Sequence, residues 1–146
     1  MKKMIVGLTL LLGLASFTFA RNKEEVNPET LRNFKKEFKA AQNVSWAVAD
    51  EVATASFSLH GFRVQAYYGD DGQLLGTART ILFEQLPINV INAVNNKYAT
   101  APVYEIVEFT RGAETFYRMM VDTEKNKQLI QVSATGSISV EKKIKK

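Results

Sequence analysis

The sequence predicts an α+β protein: a tandem repeat of one helix followed by a four-stranded antiparallel sheet, the helix packed on one sheet face. Two segments 60 residues apart share an apolar stripe, Leu31/Phe34/Phe38 and Ile91/Val94/Tyr98. Their i, i+3, i+7 spacing is one face of an amphipathic helix. Each stripe is followed by four short runs of strand-forming residues. The breaks between those runs are too short for the crossovers that parallel strands need, so the strands form an antiparallel meander.

Asn27 and Pro28 open the first helix, and Leu86 and Pro87 open the second. Proline suits a first helical turn because its φ is fixed and the missing N–H would have no partner there. Asn27 is the expected N-cap. The first four strands fall at 44–48, 52–59, 62–68 and 74–80, broken at Asp50-Glu51, His60-Gly61 and 70–73. The second four fall at 103–110, 115–121, 128–134 and 137–141, broken at Arg111-Gly112, 123–126 and Thr135-Gly136. Glycine at such breaks accepts the positive φ that tight turns require.

Alternation assigns the faces. Ala53, Ala55, Phe57 and Leu59 share one side of their strand, and Phe62, Val64, Ala66 and Tyr68 line the inner side of the next. Trp46 aligns with Val44 and Val48 and reads as core. Its counterpart in the second repeat is Tyr104 or Ile106.

The order of parts is a leader at 1–20, a short lead at 21–26, a first repeat at 27–80, a connector at 81–85, a second repeat at 86–141 and a basic tail at 142–146. Lys2 and Lys3, an apolar run at 4–15, and Thr18 and Ala20 at positions −3 and −1 make a cleavable secretory signal. The lack of cysteine excludes a lipid-anchored form, a disulfide framework and a thiolate metal site. The expected location is periplasmic or secreted. Losing Lys2 and Lys3 lowers the formal charge of +4 to about +2. The body is then near neutral, with Lys142, Lys143, Lys145 and Lys146 crowded at the end.

Nothing in the chain reads as catalytic, and neither a metal nor a cofactor is expected. His60, the single histidine, sits at a turn without a nucleophile or an orienting partner. Asp70 and Asp71 before Gly72 lack the spacing of a calcium loop and read as turn formers. Asp50-Glu51 and Glu105/Glu108 read as surface carboxylates. Asn43-Val44-Ser45 matches a glycosylation pattern by chance.

The ordered series Leu31…Phe34…Phe38, Val44-Ser45-Trp46, Ala55-Ser56-Phe57, His60-Gly61 and Asp70-Asp71-Gly72-Gln73-Leu74-Leu75 resembles the PepSY-like, beta-lactamase-inhibitor-like proteins. Leu86-Pro87…Ala93-Val94…Lys97-Tyr98 resembles the start of their second repeat. The likeness runs from Asn27 to about Glu141. It implies a tandem helix-plus-sheet fold in exported proteins of Gram-negative bacteria, with no assigned activity. A fold alone does not supply a function.

The outer sheet face is the expected partner surface, made by Arg63, Tyr67, Arg79, Phe116, Arg118 and Met120, with Gln65, Thr77, Leu129 and Gln131 beside them. Arginine, aromatics and methionine are the types enriched at protein interfaces. The leading expectation is a non-catalytic binding module for an unidentified protein or peptide, monomeric or weakly dimeric. Packing of the two repeats on each other, or of two copies in a dimer, through these faces is the alternative use of the surface. Two other functional readings are a small-molecule or enzymatic site at the repeat junction, and a basic tail touching anionic lipid weakly. Nucleic acid is not an expected partner of an exported chain.

Overall fold

The computed structural model describes residues 25–146. The expected leader at 1–20 lies outside the described residues. Helix α1 spans Pro28–Glu37 and is followed by strands β1 (Gln42–Ala49), β2 (Val52–Leu59), β3 (Phe62–Tyr68) and β4 (Leu74–Thr80). A short 3-10 turn at Phe83–Gln85 leads to α2 (Ile88–Tyr98) and strands β5 (Val103–Arg111), β6 (Glu114–Asp122), β7 (Asn126–Ser133) and β8 (Ile138–Lys145). The predicted fold class is the one found.

The two four-stranded units join edge to edge. All eight strands form one antiparallel sheet in chain order, β1 to β8. The seam is β4 against β5, where Thr77–Thr80 face Val107–Thr110 in register. Gly76 sits at this seam because a Cβ there would come within 2.7 Å of the Thr110 carbonyl oxygen. The outer faces of the repeats therefore lie side by side and do not pack on each other.

Both helices cover the same face of the sheet. Asn27 starts α1 by accepting the Glu29 N–H at 2.8 Å, and its side-chain amide donates to the Asp70 carbonyl. One cap thus ties the helix to the β3–β4 turn. Gly72 in that turn has φ +76°, and a Cβ on it would press on Glu29 and the Thr30 nitrogen at about 3.0 Å. The second repeat repeats the clamp: Asn89 donates to the Ala134 carbonyl, and Gly136 lies against Asn89 and Ala93.

Each helix closes its own core. Phe34 stacks edge-on to Phe57 and Trp46, with ring centroids 5.1 Å apart in both pairs, over Val64, Ala66 and Tyr68. Phe38 lies 4.9 Å from Phe57 but stays half-buried. In the second core the stripe is Val90 and Val94, both fully buried against Met119, Ile130 and Val132, and the expected Ile91 and Tyr98 flank it. Full burial of such side chains contributes roughly 1.5–3 kcal/mol each. Residues 31–40 and 91–100 match position for position in burial, so the repeat is one of packing as well as sequence.

Three sequence readings are corrected here, and the open choice between Tyr104 and Ile106 is decided. Arg79 and Thr77 lie on the helix face, not the outer face: a bulge at Tyr67/Tyr68 inserts Leu75 and shifts the register, so that Arg79 stands opposite Val64. Val44 is exposed, because β1 is bulged between Gln42 and Ser45, where Asn43 has φ 54°. Ile106, not Tyr104, faces the second core, since a matching bulge at Glu105 reverses the alternation. The lysine-rich tail is not separate: Lys142, Lys143 and Lys145 belong to β8, and Lys146 pairs with Asp122 at 2.6 Å. Lysines on an outermost strand discourage pairing with foreign strands.

Candidate functional site

No helix covers the outer sheet face among the described residues. Register places Gln65, Ala78, Phe109, Phe116 and Ser133 in one row across β3 to β7. The next row is Thr80, Val107, Arg118, Gln131 and Ser139, and a third holds Tyr104, Met120, Leu129 and Lys142. Residues directly opposite in antiparallel strands share a face, so these rows form one surface.

At its centre Phe109 and Phe116 stack, with centroids 5.1 Å apart and planes within 8°. The Arg118 guanidinium lies 5.5 Å over the Phe109 ring and donates to Glu141 at 2.8 Å. A cation over a ring face is attracted by the ring quadrupole. Tyr67 donates to Gln65 at 3.0 Å, and Gln65 reaches Ser56 at 3.3 Å. Burial raises the Tyr67 phenol above its ordinary pKa, so it stays a neutral donor. Tyr67, Leu75, Phe109, Phe116, Arg118 and Gln131 line an open groove of about 620 Å³ that spans the β4–β5 seam. Its volume falls in the range of ligand pockets, roughly 300–1,000 Å³.

Of the six residues singled out from the sequence, Tyr67, Phe116, Arg118 and Met120 come together on this face. Arg63 is on the same face but exposed at the far end of β3, opposite Ser58. Arg79 is on the other face. There it lies 4.9 Å over the Phe62 ring and pairs with Glu108 at 2.8 Å. Tyr117 hydrogen-bonds the same carboxylate, and burial followed by the Glu108 charge raises its pKa. This polar cluster bridges the two helix-covered cores.

Phe109 and Val107 belong to the site and were not singled out from sequence. The alternation of β5 would have pointed to them, had the bulge at Glu105 been visible. His60 is exposed in the β2–β3 turn with φ 50°. Asp71 accepts the Gln73 N–H at 3.0 Å, the expected turn role. Among the described residues no three His, Asp or Glu side chains are grouped to hold a metal ion, and no helix is long and apolar enough to cross a membrane. Phe109, Met120 and Ala78 are buried within the face, while Tyr67, Val107, Phe116 and Leu129 are half-buried, so it offers partly covered apolar and aromatic side chains rather than a proton-transfer pair.

No family model and no curated protein matches this sequence. Solved structures do. A BLIP-like protein from Bacteroides fragilis NCTC 9343 superposes with a TM-score of 0.73 at 19% identity, over 84% of this chain and 91% of that one. A DUF2874 family protein from Bacteroides ovatus ATCC 8483 gives 0.71 at 20% identity, over 80% and 89%. A protein from Bacteroides eggerthii DSM 20697, classed as periplasmic, gives 0.72 at 15% identity, over 83% and 89%. The fold is the shared property. The likeness spans the helix-plus-sheet tandem and says nothing by itself about what the outer face holds.

Proposed function

We propose that this protein is an exported, non-catalytic binding module whose outer sheet face engages a protein or peptide. The observation that carries the reading is the stacked Phe109–Phe116 pair, flanked by Tyr67, Met120 and Arg118, on the face without a helix. Interfaces concentrate their energy in buried aromatic and arginine anchors ringed by polar groups. Here Gln65, Gln131, Ser133 and Ser139 supply such a ring. A BLIP-like protein among the fold neighbours supports a protein as the ligand, and the leader pattern at 1–20 supports export. Arg63 widens the surface at one end.

The test is capture of partners from periplasmic extract by the wild type, by Phe116→Asp, and by the pair Arg63→Glu with Arg118→Glu. Loss of the same partners in both variants, with far-ultraviolet circular dichroism unchanged, supports the reading. Identical partner profiles remove this face from consideration.

The size and apolar lining of the groove at the seam favour a second reading, an apolar small molecule held over Phe109 and Phe116. It separates from the first by thermal shift with small apolar ligands. A shift abolished by Phe116→Asp, with no protein captured, selects it.

A further inference from the structure

We propose that β1 is a self-association edge, through which two copies of this chain pair antiparallel into one longer sheet. The two outer strands of the sheet are unlike. β8 carries Glu141, Lys142, Lys143 and Lys145, whereas β1, Gln42–Ala49, carries no charge at all. An outermost strand presents unpaired N–H and C=O groups, and charges or bulges are what normally keep it from pairing. The only such device on β1 is the bulge at Asn43, which leaves Ser45–Ala49 regular and in register with β2.

The side chains of that stretch fit a second copy of themselves. Trp46 and Val48 point to the helix face, opposite Ala55 and Ala53, and both remain half-buried beside the first core. Ser45, Ala47 and Ala49 point to the other face and are exposed. A two-fold axis through Ala47, normal to the sheet, sets Trp46 opposite the mate's Val48 and Ser45 opposite its Ala49. Every inward residue then meets an inward one, as a self-complementary interface requires. The apolar surface that Trp46 and Val48 still expose becomes covered, and only small side chains meet on the outer face.

Charge at the ends of the strand agrees with the antiparallel sense. Lys39 precedes β1, and Asp50 and Glu51 follow it. The two-fold brings the acidic end of each strand toward the basic end of the other. Pairing of β8 with itself would instead set lysines against lysines.

The chain's single tryptophan lies in this edge, so pairing has its own optical signal. Sedimentation equilibrium over a wide concentration range should show a monomer–dimer equilibrium, with Trp46 emission moving to shorter wavelength as dimer forms. Ala47→Lys places two ammonium groups together on the axis and should weaken association by about tenfold or more, because like charges juxtaposed across an interface are strongly disfavoured. Ser45→Lys should weaken it too and serves if Ala47→Lys disturbs the fold. Val140→Lys, at an exposed β8 position outside the outer-face site, should change nothing. A wild type that stays monomeric at millimolar concentration overturns the proposal. So does open-ended association weakened equally by Ala47→Lys and Val140→Lys, which would mean β1 pairing with β8.

Discussion

Thr30 and Val90 occupy the same place in the two repeats: each is the third residue of its helix, and each is fully buried. Valine and threonine have nearly the same shape, but the Thr30 hydroxyl has no hydrogen-bond partner. A buried hydroxyl without a partner costs roughly 1–3 kcal/mol. Thr30→Val should therefore stabilise the protein by about 1 kcal/mol or more. A rise in the urea midpoint checks this.

Phe34 touches Phe38, Trp46 and Phe57 and is the deepest ring of the first helix. Phe34→Ala should cost about 3–5 kcal/mol, the usual range for truncating a buried phenylalanine. Phe38→Ala should cost less, because Phe38 is only half-buried. The exposed Lys36→Ala should stay within about 0.5 kcal/mol. Equal shifts in urea for Phe34→Ala and Lys36→Ala would contradict the facing of α1.

The fold should weaken in alkali. Burial, reinforced by the nearby Glu37 charge, pushes the Tyr68 phenol up to about 12, and Tyr67, Tyr98 and Tyr117 are also raised. In the unfolded chain these phenols ionise near pH 10, as ordinary tyrosines do. Below about pH 10 both states are protonated and the stability from these groups is fully present. Between about pH 10 and 12 the unfolded state loses protons first, so stability falls as pH rises. Tyr68→Phe removes one of these groups and also a buried hydroxyl without a partner. Its urea midpoint should fall less steeply over that interval than that of the wild type.

Gly76 at the seam predicts a local effect. Gly76→Ala drives a methyl into the Thr110 carbonyl and should push β4 and β5 apart, at about 1–3 kcal/mol. Amide hydrogen exchange should quicken in Thr77–Thr80 and Val107–Thr110, while the β6–β7 pairs stay protected. Uniform exchange across all strands would argue against a weak seam.

Much of this was legible in the sequence. The Leu31/Phe34/Phe38 stripe and the alternation of β2 and β3 report burial on one face directly, and hairpin breaks report antiparallel order. Bulges are different, because one inserted residue inverts every facing beyond it without altering composition. Leu75 did this to Arg79, and Glu105 did it to Phe109. The joining of the two sheets was equally silent, since the paired residues Thr77, Thr110, Arg79 and Glu108 look like ordinary surface. The outer-face cluster was visible in Tyr67, Phe116, Arg118 and Met120, and its central stack was not.

The central claim is that the outer sheet face is where this protein binds its partner. Site-specific photo-crosslinking in the cell envelope tests it most directly, with a photoreactive phenylalanine analogue replacing Tyr67 or Phe116 in one pair of variants and the exposed Asn96 of α2 in a third. Discrete cross-linked adducts from positions 67 and 116, and none from position 96, are the predicted result. Adducts from position 96 with none from 67 or 116 would place the partner on the helix face and contradict the account.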